Sequence, residues 1–223
     1  MTDTRDGKHR LADALTRVVA REGITGVSVR AVAAEAGVSG GTVQHYFPTR
    51  AEMIRYAMEW TSTQVEKRLV DIPRWGEVRE WTGRILLDLL PLSADRRREH
   101  AVWLAFVAHA DTDPLLADLK RQTSIKLHEL YSGVIRARRG LPVHTEKSTA
   151  VVDHDFDADA VLLQSVVDGL SLHLADLELD EAARVGPKLL DRYLALAVDS
   201  IDGPTYGSPG GGWVHSVRNS PDR

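Results

Sequence analysis

The sequence predicts an all-α protein, with a three-helix helix-turn-helix head followed by a larger helical body. Three observations carry that prediction. Apolar residues recur at helical spacing along most of the chain, with no strand pattern of consequence and no internal repeat. Capping hydroxyls and carboxylates, glycine stops and proline starts fall between the periodic segments. The stretch Val27 to Met53, VSVRAVAAEAGVSGGTVQHYFPTRAEM, sets three short helical signals and two tight turns in 27 residues.

Residues 8–22 repeat Leu11, Leu15, Val18 and Val19 on one face, with Lys8, Arg10, Arg17 and Arg21 available for the outside, and Gly23 ends the helix. Ser28 can cap a second helix whose buried face is Val29, Val32, Ala33 and Ala36. Gly37 stands where a helix ends in a left-handed residue, which glycine adopts without a Cβ clash. Ser39 caps a third helix, Gly40 to Tyr46, and Thr49 with Glu52 forms a T-x-x-E capping box for a fourth. Helix, short glycine turn, helix is the layout in which the second helix enters the DNA major groove.

The fourth helix is expected to reach about Leu69, and a turn containing Pro73 and Gly76 follows. Helical spacing resumes from Glu77 to Leu90 and again from Ala94 to Ala110, where AVWLAFVAHA is apolar almost all round. Asp113 and Pro114 start a helix to about Arg138, and Arg139 to Asp157 reads as a loop. Ala158 to Leu177 is helical; Asp180 caps a last helical region to about Ile201, kinked or delayed at Gly186-Pro187. The expected division is a DNA-binding head over 1–48, a ligand-binding and dimerisation body over 49–202, and a flexible Gly/Pro-rich tail over 203–223 that contains Trp213.

Composition narrows the function. With no cysteine, thiolate metal sites, disulfides and cysteine catalysis are excluded. The first residues, MTDTRDGKHR, lack the apolar core of a signal peptide, so a cytoplasmic protein is expected. The net charge of −4 by itself disfavours nucleic acid, but residues 1–50 carry +2 and the remainder −6, a polarity that suits a head facing DNA.

VRAVAAEAGVSGGTVQHYFPTRAEMI resembles the DNA-binding domain of TetR-type bacterial transcriptional repressors, most closely through A-x-x-A-G-V-S-x-G-T-x-x-H-Y-F-P. The resemblance is strong over about residues 8–56. It is looser over the body, where WLAFVAHADTDPLL and VDGLSLHLADLELD are similar to the BetI-like branch. It implies that Thr42, Gln44, His45 and Tyr46 face DNA from the recognition helix, with Ser39, Gly40 and Gly41 at its start. Ser28, Arg30 and Arg50 would lie near phosphates. Residue chemistry agrees, since Thr42 and Tyr46 hydroxyls can donate to phosphate and the Gln44 amide fits adenine N6 and N7. Gly40 stands where the family often carries lysine, and Gln44 where an aromatic is common.

For the body, Trp103, Phe106, His109, Tyr131 and Asp168 are the ligand-pocket candidates. His109 shares a face with Val102, Ala105 and Phe106, which equally suits a hydrogen-bonded core histidine, and Tyr131 suits a core too. Leu170, Leu174, Leu190, Tyr193, Leu194 and Ala197 are candidates for a four-helix homodimer interface. The implied partners are a double-stranded DNA operator, a small-molecule effector and a second copy of the chain; no cofactor, metal or membrane is called for.

The resulting expectation is a ligand-released repressor that binds a palindromic operator as a homodimer. Two alternatives have a footing. Gly37-Val38-Ser39-Gly40-Gly41 matches G-x-S-x-G, the nucleophile elbow of a hydrolase using Ser39, but the motif needs a preceding strand and Ala31 to Ala36 is helical. A helical protein-interaction module without DNA activity is the other. Asp153, Asp155, Asp157 and Asp159 alternate like a calcium loop, yet Ala158 and Gln164 stand where glycine and glutamate are required.

Overall fold

The computed structural model describes residues 3–110, 114–141 and 158–200. Asp113, the aspartates at 153, 155 and 157, the end of the last helix at Ile201 and the tail with Trp213 lie outside the described residues.

Among the described residues there are nine α-helices and no strand: α1 (Asp3–Glu22), α2 (Val29–Ala36), α3 (Gly40–Tyr46), α4 (Arg50–Asp71), α5 (Val78–Asp88), α6 (Ala94–Ala110), α7 (Pro114–Arg138), α8 (Ala158–Ala175) and α9 (Leu179–Tyr193). A 3₁₀ turn, Ile24–Gly26, joins α1 to α2, and α9 runs directly into one π-helical turn, Leu194–Val198. No described helix is long and apolar enough to cross a membrane.

The apolar stripes assemble into two cores. In the first, Leu11, Leu15 and Val18 of α1 meet Val32, Val43, Phe47, Met53 and Ala57, and the same cluster takes in Val102, Phe106 and Ala110 of α6. The second gathers Leu69, Ile85, Leu86, Tyr131, Leu163, Leu174 and Leu190 from α4, α5, α7, α8 and α9. Helix α4 belongs to both, with Met53 and Ala57 in one and Leu69 in the other. Between head and body, Trp60 of α4 stacks on His9 at 4.5 Å and donates from Nε1 to Asp13 at 2.8 Å.

Arginines tie the body together. Arg68 donates to both carboxylate oxygens of Glu99 at 2.8 Å and to Asp88 at 2.7 Å, and Arg96 closes on the other Asp88 oxygen. Arg138 clasps Asp199 at 2.9 and 2.7 Å and donates to the Thr82 hydroxyl at 2.8 Å, so α7, α5 and the π turn share one buried ion pair. Arg97 donates to the Leu177 carbonyl at 2.6 Å, putting a cation at the open end of α8, where the helix dipole favours it.

The last helix corrects the expectation at Gly186-Pro187. Helix α9 starts at Leu179 and passes through Pro187 unbroken, and its N-cap Glu178 makes no side-chain cap bond. Pro187 removes only the bond to Ala183, an exposed residue whose carbonyl can turn to water. Gly186 serves a close approach rather than a kink: a Cβ there would lie 2.8 Å from Leu92 Cδ2 and 3.1 Å from Leu174 Cδ1.

Candidate nucleic-acid interface and body cavity

The head is built cap by cap. Ser28 Oγ accepts from the Ala31 N–H at 3.1 Å and starts α2. Gly37 ends it at φ 67°, with its N–H on Ala34 O and the Val38 N–H on Ala33 O at 3.0 Å, a Schellman closure that takes up two of the last carbonyls of the helix. Ser39 Oγ accepts from the Thr42 N–H at 3.1 Å, and the two hydroxyls lie 2.9 Å apart. Thr49 Oγ1 accepts from the Glu52 N–H at 3.2 Å. Arg17 and Arg21 of α1 then grip Glu35 of α2 at 2.6 and 2.9 Å, fixing the angle between the helices.

On α3, Val43 is fully buried while Gly41, Gln44 and His45 are exposed, so the helix is pinned on one side and open on the other. Gly40 and Thr42 are half-buried, and Ser28, Arg30 and Ser39 lie exposed at the turn-side ends. Tyr46 is half-buried because its ring lies against α1, where a Cβ on Gly7 would come within 2.7 Å of the hydroxyl. Arg50 is exposed at the start of α4, and part of its guanidinium is engaged within the chain: its Nε donates to Val27 O at 2.9 Å and its Nη2 to Ile24 O at 2.5 Å. That guanidinium braces the start of α4 against the turn before α2.

Three residues of α1 contribute from outside the motif. Gly7 and Arg10 of α1 line a cleft of about 190 Å³ with Thr42 and Tyr46, which brings a cation beside two of the hydroxyls. Lys8 lies 4.3 Å from the Tyr56 ring centroid and 5.7 Å from that of Phe47, a cation–π clamp over the head core. Gly7 has a visible signal, a glycine inside a helix, but nothing local says which side chain needs the space.

The body holds a cavity of about 350 Å³ between α4, α6, α7 and α8, at the seam of the two cores: Met58 from the first and Leu69, Tyr131 and Val167 from the second line it. Trp103, Tyr131 and Asp168 are in its wall. Phe106 and His109 are not, which corrects that pair. Phe106 is fully buried in the head core, and His109 Nδ1 lies 2.8 Å from its own helix's Ala105 carbonyl. In their place the wall presents Ser62, His100 and the Arg68–Asp88–Arg96–Glu99 network, all missed from the sequence.

Electrostatics follow burial. Desolvation lowers the His100 pKa, so its ring is neutral at physiological pH. Desolvation raises Asp168 above the usual carboxylate range against an opposing hydrogen bond from Gln164, and raises the Tyr131 phenol, with the Asp168 charge adding to it. For Arg68, desolvation works against the charge, and the hydrogen bonds to Glu99 and Asp88 outweigh it. No cluster of described residues could hold a metal ion.

Of the interface candidates, Leu170 and Tyr193 are half-buried and Ala197 is exposed. Leu174, Leu190 and Leu194 are corrected: each is at most 1% exposed within its own chain and cannot reach a partner. The apolar surface on these helices is instead Leu162, Leu172, Leu189 and Leu196, with Leu196 67% exposed.

Ser39 is a cap between two helices, not a residue on a strand-to-helix elbow, so the hydrolase alternative is not favoured. The family described as bacterial regulatory proteins of the tetR family matches residues 11–57, and the BetI-type transcriptional repressor C-terminal family matches residues 78–199. The HTH-type transcriptional regulator PksA of Bacillus subtilis (strain 168) is 30% identical over 201 residues, spanning 89% of this chain and 91% of its own length. A transcriptional regulator from Rhodococcus sp. Rha1, of known crystal structure, is 30% identical with a TM-score of 0.66, over 86% of this chain and 98% of that one. A regulator from Saccharomonospora viridis crystallised with choline shares the fold at 21% identity and a TM-score of 0.71, over 86% of this chain and 97% of that one. The chain therefore belongs to the TetR family of bacterial transcriptional regulators, a non-enzymatic DNA-binding protein with a helix-turn-helix head and a BetI-type helical body.

Proposed function

We propose that the chain is a cytoplasmic repressor that binds a palindromic operator as a homodimer and releases it when a small effector enters the body cavity. The observation that carries this reading is the double duty of α6. Its His100 and Trp103 line the cavity, while its Val102, Phe106 and Ala110 belong to the core that packs the head, and the Trp103 and Phe106 rings lie 5.9 Å apart between centroids. A ligand that fits one arrangement of the seam better than another would shift the head, and only such a state-dependent affinity can couple the two sites. That the Saccharomonospora regulator was crystallised with choline supports a small-molecule ligand here as well.

In this reading residues 1–48 read DNA, 49–202 bind the effector and the second copy, and 203–223 are a tail. Gln44 and His45 face base edges; Thr42 and Tyr46, with Ser28, Arg30, Ser39, Gly40 and Gly41 around them, face the phosphates. Leu162, Leu172, Leu189 and Leu196 join Leu170, Tyr193 and Ala197 as the surface for the partner, because they are the leucines of α8, α9 and the π turn that are largely open to solvent. A dimer would set two heads about 34–36 Å apart, or a multiple of that, on successive turns of the groove.

The test is operator binding with a fragment of the gene's own promoter. Gln44→Ala should cost about 1–3 kcal/mol at one base pair and relax preference there, while Tyr46→Phe should weaken all sequences alike. Affinity should fall with salt at a log–log slope of about −0.9 per phosphate contacted. Binding that neither substitution alters would overturn the assignment of α3 as the reading helix.

A further inference from the structure

Two polar atoms of the cavity wall have no hydrogen-bond partner among the described residues although both are shut off from bulk solvent: Ser62 Oγ on α4 and His100 Nε2 on α6. Their helices are held side by side by the Arg68–Glu99 bridge. A buried donor or acceptor without a partner is costly, so a ligand group that satisfies it is strongly preferred to one that does not. Hydroxyl and neutral imidazole each donate or accept, and a hydroxyl on the ligand, which does both through one atom, matches either tautomer of His100.

Charge points the same way. Of the ionic side chains around the cavity, Arg68, Arg96, Asp88 and Glu99 already bond to one another, and Glu66 pairs with Lys126 at 2.6 Å. Arg74 is exposed, where water screens it. Asp168 lines the wall without an ion pair among the described residues, but desolvation raises its pKa, which disfavours the charged form and weakens its pull on a cation. The rest of the wall is mostly apolar, with Met58, Leu69, Trp103, Leu127 and Val167 prominent beside Thr61, Thr123, Tyr131 and Ser171.

We infer that the cavity selects an uncharged, largely apolar molecule carrying a hydroxyl, anchored by hydrogen bonds to Ser62 and His100. This rests on the cavity being the effector site, and it adds the chemical class of the effector and the two residues that choose it.

The probes are four naphthalenes of one shape: 2-naphthol, naphthalene, 2-naphthoate and 2-naphthylmethylammonium, titrated into the full chain by calorimetry without DNA. The naphthol should bind about tenfold tighter than each of the others, the worth of a hydrogen bond to a buried partner. Ser62→Ala and His100→Leu should each erase most of that preference while binding naphthalene at least as tightly as the parent, which shows the cavity intact in the variant. Tighter binding of the cation or the anion, a naphthol preference that survives both substitutions, or no naphthol binding up to its solubility limit would each overturn the inference. Operator release is read separately. Naphthol that binds with the expected preference and leaves the operator complex untouched would sink the effector-release reading and leave the inference about the cavity standing.

Discussion

The head and the body of this regulator are held in shape by different means. In the head, three consecutive helices are each started by a hydroxyl three residues upstream of the N–H it accepts from: Ser28 for Ala31, Ser39 for Thr42, and Thr49 for Glu52. In the body α6 has a longer cap of the same kind, Ser93 for Arg96 at 3.3 Å, but α5 and α9 begin without any side-chain cap bond. Their positions depend on arginines that reach far along the chain, such as Arg138 to Asp199 across 61 residues and Arg97 to Leu177 across 80. The ion pairs of the two regions differ in kind as well. Arg17–Glu35 in the head has side chains 39% and 20% exposed, whereas Arg138 and Asp199 are 5% and 7% exposed. Local devices make a small unit that is correct turn by turn; long-range devices make a body that stands or falls as a whole.

The largest effect should come from breaking the body's buried pair. Asp199→Ala leaves Arg138 charged and enclosed, with the Thr82 hydroxyl and the Arg79 carbonyl as its remaining partners among the described residues. Losing one member of a buried pair costs about 3–5 kcal/mol, because the remaining charge is left desolvated. Urea unfolding of the full chain should show the midpoint falling accordingly. A loss under 1 kcal/mol would mean the pair is solvated in solution and the contrast with the head is false.

Breaking a head device should cost less. Ser28→Ala removes one cap and should cost about 1 kcal/mol. Gly37→Ala forces a Cβ into the left-handed region at φ 67° and should cost about 1–2 kcal/mol, although there is open space around the position. The same urea titrations check both. The comparison is sharpened if the double variant is additive, as independent local devices should be.

The contrast also explains what could be read from the sequence. Caps and a left-handed glycine act within a few residues, so Ser28, Gly37, Ser39 and Thr49 carry their own signal, and the head was legible almost to the residue. A helix face in the body announces that it is buried, not against what. The second half of α6 is apolar on most of its circumference, so periodicity placed Phe106 and His109 beside Trp103 but could not tell the head core from the cavity. Leu174, Leu190 and Leu194 were readable as buried, yet burial within one chain and burial between two chains leave the same pattern. Gly186 looked like a helix breaker because the leucines it makes room for, Leu92 and Leu174, lie elsewhere in the sequence. Arg50 carried no sign of the two carbonyls that take up part of its guanidinium. Ser62 and His100 were invisible as a pair for the same reason.

His100 gives the smallest and most selective test, since it lies on the wall between the two cores. Burial holds its pKa below the ordinary histidine value of 6.5. The unfolded chain therefore takes up a proton near pH 6.5 that the folded chain still refuses, and stability falls as pH drops through that range. The contribution of the neutral ring is fully present above the unfolded pKa and is lost as pH falls toward the folded one. His100→Gln keeps a polar group of similar length that does not titrate, while the other eight histidines are common to both proteins. Urea midpoints measured from pH 7.5 to pH 5 should thus decline more steeply in the parent than in the variant, with the two curves separating below about pH 6.5. Parallel curves would mean that the ring titrates as freely in the folded protein as in the unfolded one. In that case water reaches the cavity wall, and the seam between the cores is looser than its packing implies.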